Sequence, residues 1–309
     1  MPKMDGLEFL ERLMRAHPMP VVMCSWLTKK GGETALRALD LGAVDFVAKP
    51  RLDMERGVEQ IGAELISKVK AAARATPRAR GGAKPSASVR AMVAERSGAG
   101  PLRKTTDVVF AIGASTGGTE ALLEVLEALP ADAPGVVVVQ HMPEQFTRQF
   151  AARLDKLCAM RVREATSGER ILPGHVLIAP GGTHHMEVER NGAQSFVRLV
   201  ASSPVKHHRP SVDVLFASCA RALGANAVGA ILTGMGADGA DGLLAMRRAG
   251  ARTLAQDEST CVVFGMPKEA IARGAAEFVV PLGGVAGALL RLGSGARPVE
   301  SVSRTLNRT

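Results

Sequence analysis

The pattern of apolar and polar positions changes period sharply between residues 107 and 129. After Asp107, the run Val108-Val109-Phe110-Ala111-Ile112 is apolar without helical spacing, as suits a strand buried on both faces. The run breaks at Gly113. From Thr119, residues Ala121, Leu122, Val125, Leu126 and Leu129 fall on one side of a helix, with Glu120, Glu124 and Glu127 on the other. Similar alternation continues to residue 292. Strands are predicted at 107–112, 135–140, 175–179, 184–189, 195–200, 227–233, 252–256 and 278–281, and helices at 119–129, 144–160, 211–223, 240–249, 265–274 and 283–292. Strands that alternate with helices predict an α/β domain with a mainly parallel sheet. The hairpin-like run from His175 to Val200 predicts an antiparallel addition to it.

A shorter unit precedes this one. Over residues 1–70 the pattern predicts helices at 7–17, 33–41 and 54–73 and strands at 21–25 and 44–47, again a parallel arrangement. Between the units, residues 71–104 are rich in Ala, Gly, Ser and Pro, as flexible linkers are. Charge supports that division. From Lys68 to Lys104 there are ten Lys and Arg against the single Glu95, a net +9 that equals the charge of the whole chain. The rest is balanced, so the basicity belongs to a tether and predicts no nucleic-acid partner. The second domain is expected to span 105–295, and the polar tail 296–309 to be disordered.

With 46% hydrophobic residues and a mean hydropathy of +0.10, the chain reads as globular. No apolar run nears the roughly 20 residues that span a bilayer, and the first 30 residues carry charges inside a helical pattern rather than a signal peptide. A cytoplasmic protein without membrane insertion is expected. The four cysteines, Cys24, Cys158, Cys219 and Cys261, lie far apart in apolar surroundings and predict reduced, buried thiols.

Candidate chemistry centres on Gly113-Ala114-Ser115-Thr116-Gly117, a small-x-Ser-x-Gly turn between strand and helix. Such a turn can expose a serine nucleophile, and the helix start behind it offers N–H groups to an oxyanion. A P-loop is excluded because no Gly-Lys-Ser/Thr follows. A dinucleotide site would want an acid closing the next strand, which ends in Gln140-His141 instead. The turn alone leaves nucleophile and structural turn both open.

A serine nucleophile needs a base, and the base an orienting acid. His141 follows the strand Val136–Gln140, so it shares with Ser115 a position at a strand's carboxyl end, where open α/β sheets build sites. For the acid, Asp238 is selected in Thr233-Gly234-Met235-Gly236-Ala237-Asp238-Gly239, with a helix N-cap as its alternative role. Asp241 is the nearby competitor; Asp213 and Asp257 are weaker ones. The pairs His184-His185 and His207-His208 look like metal ligands, but adjacent strand residues face opposite ways, and no acidic cluster matches them, so no metal is expected. Arg209 suits either an acidic or carbonyl-bearing substrate or the plain surface.

Two resemblances follow from these residues. Met1-Pro2-Lys3-Met4-Asp5-Gly6, Ser25 at a strand end and Lys49-Pro50 resemble a response-regulator receiver domain of flavodoxin-like fold: the loop after the phosphoacceptor strand, the switch Ser/Thr and the phosphate-pairing lysine. The resemblance would put the phosphoacceptor aspartate three residues before Met1, so that aspartate is absent, and a start recorded at an internal methionine of a truncated receiver is the expectation. Gly113-Ala114-Ser115-Thr116-Gly117-Gly118, Gln140-His141-Met142-Pro143, Leu172-Pro173-Gly174, Ile178-Ala179-Pro180, His208-Arg209-Pro210-Ser211-Val212-Asp213, Thr233 to Gly239, and Val263-Phe264-Gly265-Met266-Pro267 together resemble the chemotaxis protein-glutamate methylesterases of the CheB family. That resemblance implies a doubly wound fold over 105–295 and a catalytic trio Ser115, His141 and Asp238. It also implies oxyanion donors among backbone N–H groups near His141 and Met235, with Thr116, Met235 and Arg209 as oxyanion or substrate candidates. The implied activity is hydrolysis of glutamate methyl esters and deamidation of glutamines on chemoreceptors, without cofactor; a histidine kinase controls intact members, and this chain, without the phosphoacceptor, is expected to be uncoupled from it. The alternatives are a serine esterase for another substrate, or a non-enzymatic two-component regulator.

Overall fold

The structure is a computed structural model and describes residues 4–25, 29–49, 62, 65, 66, 68–73 and 108–295. The chain divides into two compact units, Met1–Ala83 and Lys84–Thr309. Most of the expected linker, from residue 74, and the tail 296–309 lie outside the described residues, as does much of the helix expected over 54–73.

In the first unit, helix α1 (Gly6–Ala16) starts at Asp5, whose carboxylate accepts the N–H groups of Leu7 and Glu8 at 2.9 and 2.8 Å. This satisfies two of the donors a helix start leaves open. Strands β1 (Val22–Ser25) and β2 (Asp45–Ala48) pair in parallel, with Ser25 opposite Ala48. Between them helix α2 (Lys29–Asp40) buries Ala35, Leu36, Ala38 and Leu39. Ser25 Oγ donates to the Gly31 carbonyl at 2.9 Å, and the Lys49 N–H donates to the Ser25 carbonyl at 2.7 Å. The two receiver-like residues therefore meet at adjoining strand ends. Residues 68–72 are helical, and the Lys68 ammonium bonds Asp45 Oδ1 at 3.2 Å and the Phe46 carbonyl at 2.7 Å.

The second unit is built on a seven-stranded sheet, parallel throughout. In chain order its strands are β3 (Val109–Ala114), β4 (Gly135–Gln140), β5 (Arg161–Glu164), β6 (His175–Ile178), β9 (Ala227–Ile231), β10 (Arg252–Gln256) and β11 (Phe278–Val280). Across the sheet they run β11-β10-β9-β3-β4-β6-β5. The chain thus starts in the middle at β3, moves to one side through β4, and returns to the other side at β9. Helices α3 (Gly118–Glu127), α4 (Glu144–Leu157) and α8 (Leu282–Gly293) cover one face, and α5 (Val212–Leu223), α6 (Ala240–Arg248) and α7 (Met266–Ala272) the other. Double coverage explains the unbroken burial of β3 and β4, both buried at every position.

The predicted antiparallel segment exists as its own two-stranded sheet, β7 (His185–Asn191) with β8 (Gln194–Val200), packed on α5. His175–Ile178 belongs instead to the parallel sheet. One strand went unpredicted. The sequence reading carries a helix to residue 160, whereas α4 stops at Leu157 and edge strand β5 follows. Only Val162 of β5 is buried, so its apolar signature is a single residue between arginines. The thiols also differ from expectation: Cys219 is buried, Cys158 and Cys261 are half-buried, and Cys24 is exposed. Cys24 lies on β1, where no residue is fully buried.

Phe110 lies wholly buried in the central strand β3. Phe110→Ala is expected to lose about 3–5 kcal/mol of stability, measured as a fall in urea midpoint, while activity per folded molecule is retained.

Candidate active site

Ser115 is the first residue after β3. Its N–H donates to the Thr233 carbonyl at 3.0 Å and its carbonyl accepts the Gly118 N–H at 2.7 Å. The turn then passes through Gly117 at φ +76°, the left-handed region, where an added Cβ would also lie 2.5 Å from Val262 Cβ. Only glycine fits both demands. On the far side Gly234 lets its strand end approach the serine: a Cβ there would sit 2.7 Å from Ser115 Cβ. Thr233 ties the parts together. Its hydroxyl donates to the Thr116 carbonyl at 3.0 Å and accepts the Val263 N–H at 2.9 Å, and its own N–H donates to Gln256 Oε1 at 2.8 Å.

His141 stands one residue beyond β4, beside β3. Its N–H donates to the Ala114 carbonyl at 3.1 Å. Buried Gln140 clamps the two turns, its Nε2 donating to the Ser115 carbonyl at 2.9 Å and the His141 carbonyl at 3.2 Å. The imidazole is nearly enclosed, 8% exposed, and Nε2 lies 2.8 Å from Asp238 Oδ2. Nδ1 is buried and has no hydrogen-bond partner. A carboxylate can only accept, so Nε2 carries the proton and Nδ1 presents the lone pair. The ring of His208 lies parallel on that of His141, centroids 3.7 Å apart and planes 10° apart.

Asp238 follows β9, and its side chain is 1% exposed. It does not cap α6, whose N-cap is Gly239. It sits instead on the N-terminus of α5. Oδ2 accepts the Val212 N–H at 2.8 Å, and Oδ1 accepts the Asp213 N–H at 3.1 Å and the Ser211 hydroxyl at 2.7 Å. Burial pushes this carboxyl up, but the hydrogen bond and charge of His141, the Ser211 hydroxyl and the Val212 N–H together hold it below the ordinary carboxylate range. The rejected competitors lie close by. Asp213 accepts the Gly242 N–H at 2.7 Å and pairs with Lys206 at 2.7 Å; burial pushes its carboxyl up. Asp241 is exposed and pairs with Lys206 at 2.6 Å.

The other sequence-selected residues take different places. Arg209 turns to the protein: Nε donates to the Gly182 carbonyl at 2.7 Å and Nη1 to the Ser202 carbonyl at 2.8 Å, binding two loops together. Near His141, the residue's own N–H is taken up by Ala114, which leaves the following N–H groups as the candidate donors there. Among the described residues no carbonyl accepts the Thr116 N–H, which lies two residues before α3, and the Thr116 side chain is buried. Met235 is 36% exposed beside this turn. The paired histidines separate as strand geometry requires. His185 is buried between the Ser203 carbonyl at Nε2 and the Ser211 N–H at Nδ1, while His184 bonds Thr183. Ser211 was missed as a site residue; its signal was only a serine two residues before Asp213 in a helix-start motif. Among the described residues no cluster of His, Cys, Asp and Glu is placed to hold a metal, and no helix is long and apolar enough to cross a membrane.

A serine, a histidine and an ionised aspartate are thus brought to the carboxyl ends of adjacent parallel strands, where open α/β sheets build their sites. Residues 110–289 match the CheB methylesterase family and residues 1–61 the response regulator receiver domain; the chain belongs to the CheB methylesterase family. It is 58% identical over 294 residues to the protein-glutamate methylesterase/protein-glutamine glutaminase of Bordetella bronchiseptica, covering 95% of this chain and 82% of that protein. A Pseudomonas aeruginosa relative of the same name, numbered 2, is 56% identical over 301 residues, covering 96% of this chain and 83% of its own. The crystal structure of the Thermotoga maritima CheB methylesterase catalytic domain superposes with a TM-score of 0.58 at 39% identity, over 60% of this chain and 98% of that one.

The Asp238 environment has a pH signature. Its folded pKa lies below its unfolded value of about 3.9, so the carboxylate stabilises the fold fully above that pH, and the contribution is lost as the pH falls below it toward the folded pKa. Thermal unfolding of the parent should therefore fall more steeply below about pH 4 than that of Asp238→Asn, whose amide does not titrate. Parallel slopes would contradict the assignment.

Proposed function

We propose that this chain is a protein-glutamate methylesterase and protein-glutamine deamidase acting on chemoreceptors, with Ser115 as nucleophile, His141 as base and Asp238 as the orienting acid. The observation that carries the reading is the buried His141 ring, with Nε2 on the Asp238 carboxylate and Nδ1 without a hydrogen-bond partner among the described residues. Family membership supplies the substrate class.

Ser115 Oγ attacks the γ-carbonyl of a methylated glutamate, and its proton passes to His141 Nδ1. The Asp238 carboxylate keeps the proton on Nε2 and stabilises the imidazolium as it forms. The Thr116 N–H, two residues before α3 begins, is the candidate donor to the oxyanion. Collapse of the tetrahedral intermediate breaks the bond to methoxide, which leaves as methanol with the Nδ1 proton; a glutamine substrate releases ammonia the same way. Water then attacks the glutamyl-enzyme, gives its proton to Nδ1, and frees the glutamate carboxyl and Ser115. No step calls on a cofactor. The receiver-like unit carries the switch serine Ser25 and the lysine Lys49, elements by which a histidine kinase controls intact members of the family.

The test is methanol release from a methylated receptor cytoplasmic fragment. Ser115→Ala and His141→Ala should each lose activity by on the order of a million-fold, and the double variant little more, because members of such a trio act as a unit. A Ser115→Ala variant that retains most activity refutes the nucleophile. A parent chain that cleaves small esters but never the receptor refutes the substrate class.

A further inference from the structure

We propose that the tight turn Val205–His208 is a positioning device for the base: His208 fixes the plane of the His141 ring, and Lys206 latches the turn in place. The proposal rests on the reading of His141 as base and adds two residues to it. Val205 and His208 exchange both backbone hydrogen bonds, at 3.0 and 2.9 Å. The two residues between them, Lys206 and His207, have φ +49° and +68°. Positive φ at both central positions defines a turn that glycine, asparagine or aspartate usually fills. Lysine is disfavoured there, so the surroundings must hold the conformation.

Lys206 supplies the hold. Its ammonium contacts Asp213 Oδ2 at 2.7 Å, Asp241 Oδ2 at 2.6 Å and the Ala237 carbonyl at 3.2 Å. These groups belong to the start of α5, the loop around Asp238 and the first turn of α6, so the latch engages the segments that fix the acid. A residue further on, the turn delivers His208 flat onto His141. Rotation of the His141 ring about its Cβ–Cγ bond would swing Nδ1 away from the serine turn and Nε2 off Asp238. A parallel ring at 3.7 Å blocks that rotation. Beyond His208, Arg209 ties the segment to Gly182 and Ser202, and Ser211 bonds Asp238. One stretch of chain thus holds both the base and the acid.

The test compares full-length parent, His208→Ala, His208→Phe, Lys206→Met and the Lys206→Met/His208→Ala double variant, with methanol release from the receptor fragment as the assay and Ser115→Ala alongside. His208→Ala should lower kcat about ten-fold, equivalent to about 1.4 kcal/mol, with little change in KM. His208→Phe, which keeps a flat ring, should recover most of it. Lys206→Met should lower kcat similarly, and the double variant should be no worse than the weaker single, because both act through one contact. The proposal is overturned if His208→Ala keeps parental kcat, if phenylalanine rescues no better than alanine, or if the two losses multiply. Should the alanine variant fail to fold, Lys206→Met decides: an unchanged kcat overturns the proposal, and a lowered kcat at constant KM supports it. An active Ser115→Ala control would instead sink the underlying reading of the trio.

Discussion

The structure depends on one buried carboxylate. Asp238 is almost wholly removed from water, where an unpaired charge would be ruinous. It stays ionised because the N-terminus of α5 meets it with two N–H groups, Ser211 with a hydroxyl and His141 with a ring N–H. Each partner is also constrained by the bond. The helix start gains an anion where its dipole favours one. The histidine gains a fixed tautomer. The loop after β9 gains an anchor across the strand ends. Removing the carboxylate would unsettle three segments together, so a site acid here is also a structural tie.

Topology explains why these segments meet. The chain begins its sheet in the centre and reverses direction across it, so β4 and β9 flank β3 while lying far apart in sequence. At such a reversal the connections diverge to opposite faces and leave a crevice at the carboxyl ends. Ser115, His141 and Asp238 follow those three strands. Gln140, Thr233 and Gln256 then close the loops with side-chain hydrogen bonds, so the turns are held by the sheet and need few contacts of their own.

Much of this was legible from residues alone. The buried strands announced themselves as apolar runs, and the glycines around Ser115 and Asp238 marked places where backbones approach. Features that failed to show in the sequence share a physical cause: they rest on contacts between distant segments. Edge strand β5 buries one side chain and leaves no periodic trace. Arg209 reads as a substrate contact until its guanidinium is seen on two carbonyls. The bond of the His141 N–H to the Ala114 carbonyl is a consequence of strand register that no motif encodes. Ser211 and His208 act through rings and carboxylates tens of residues away.

The choice of nitrogen on His141 follows from the same register. β4 lies next to β3, at roughly 5 Å, so the serine turn is the near neighbour of His141. β9 lies beyond β3, roughly 10 Å from β4, so Asp238 is the far one. Nδ1 is the ring nitrogen closer to the backbone and Nε2 the more distant. An imidazole planted on β4 therefore reaches over β3 with Nε2 to Asp238 and leaves Nδ1, the nearer nitrogen, without a hydrogen-bond partner among the described residues. In chymotrypsin-like proteases the nitrogens take the opposite roles. The exchange requires no difference in chemistry, because either nitrogen can be the base once a carboxylate holds the proton on the other. It requires only that the ring not turn, which makes the groups that restrain its plane as consequential as the acid that sets its tautomer.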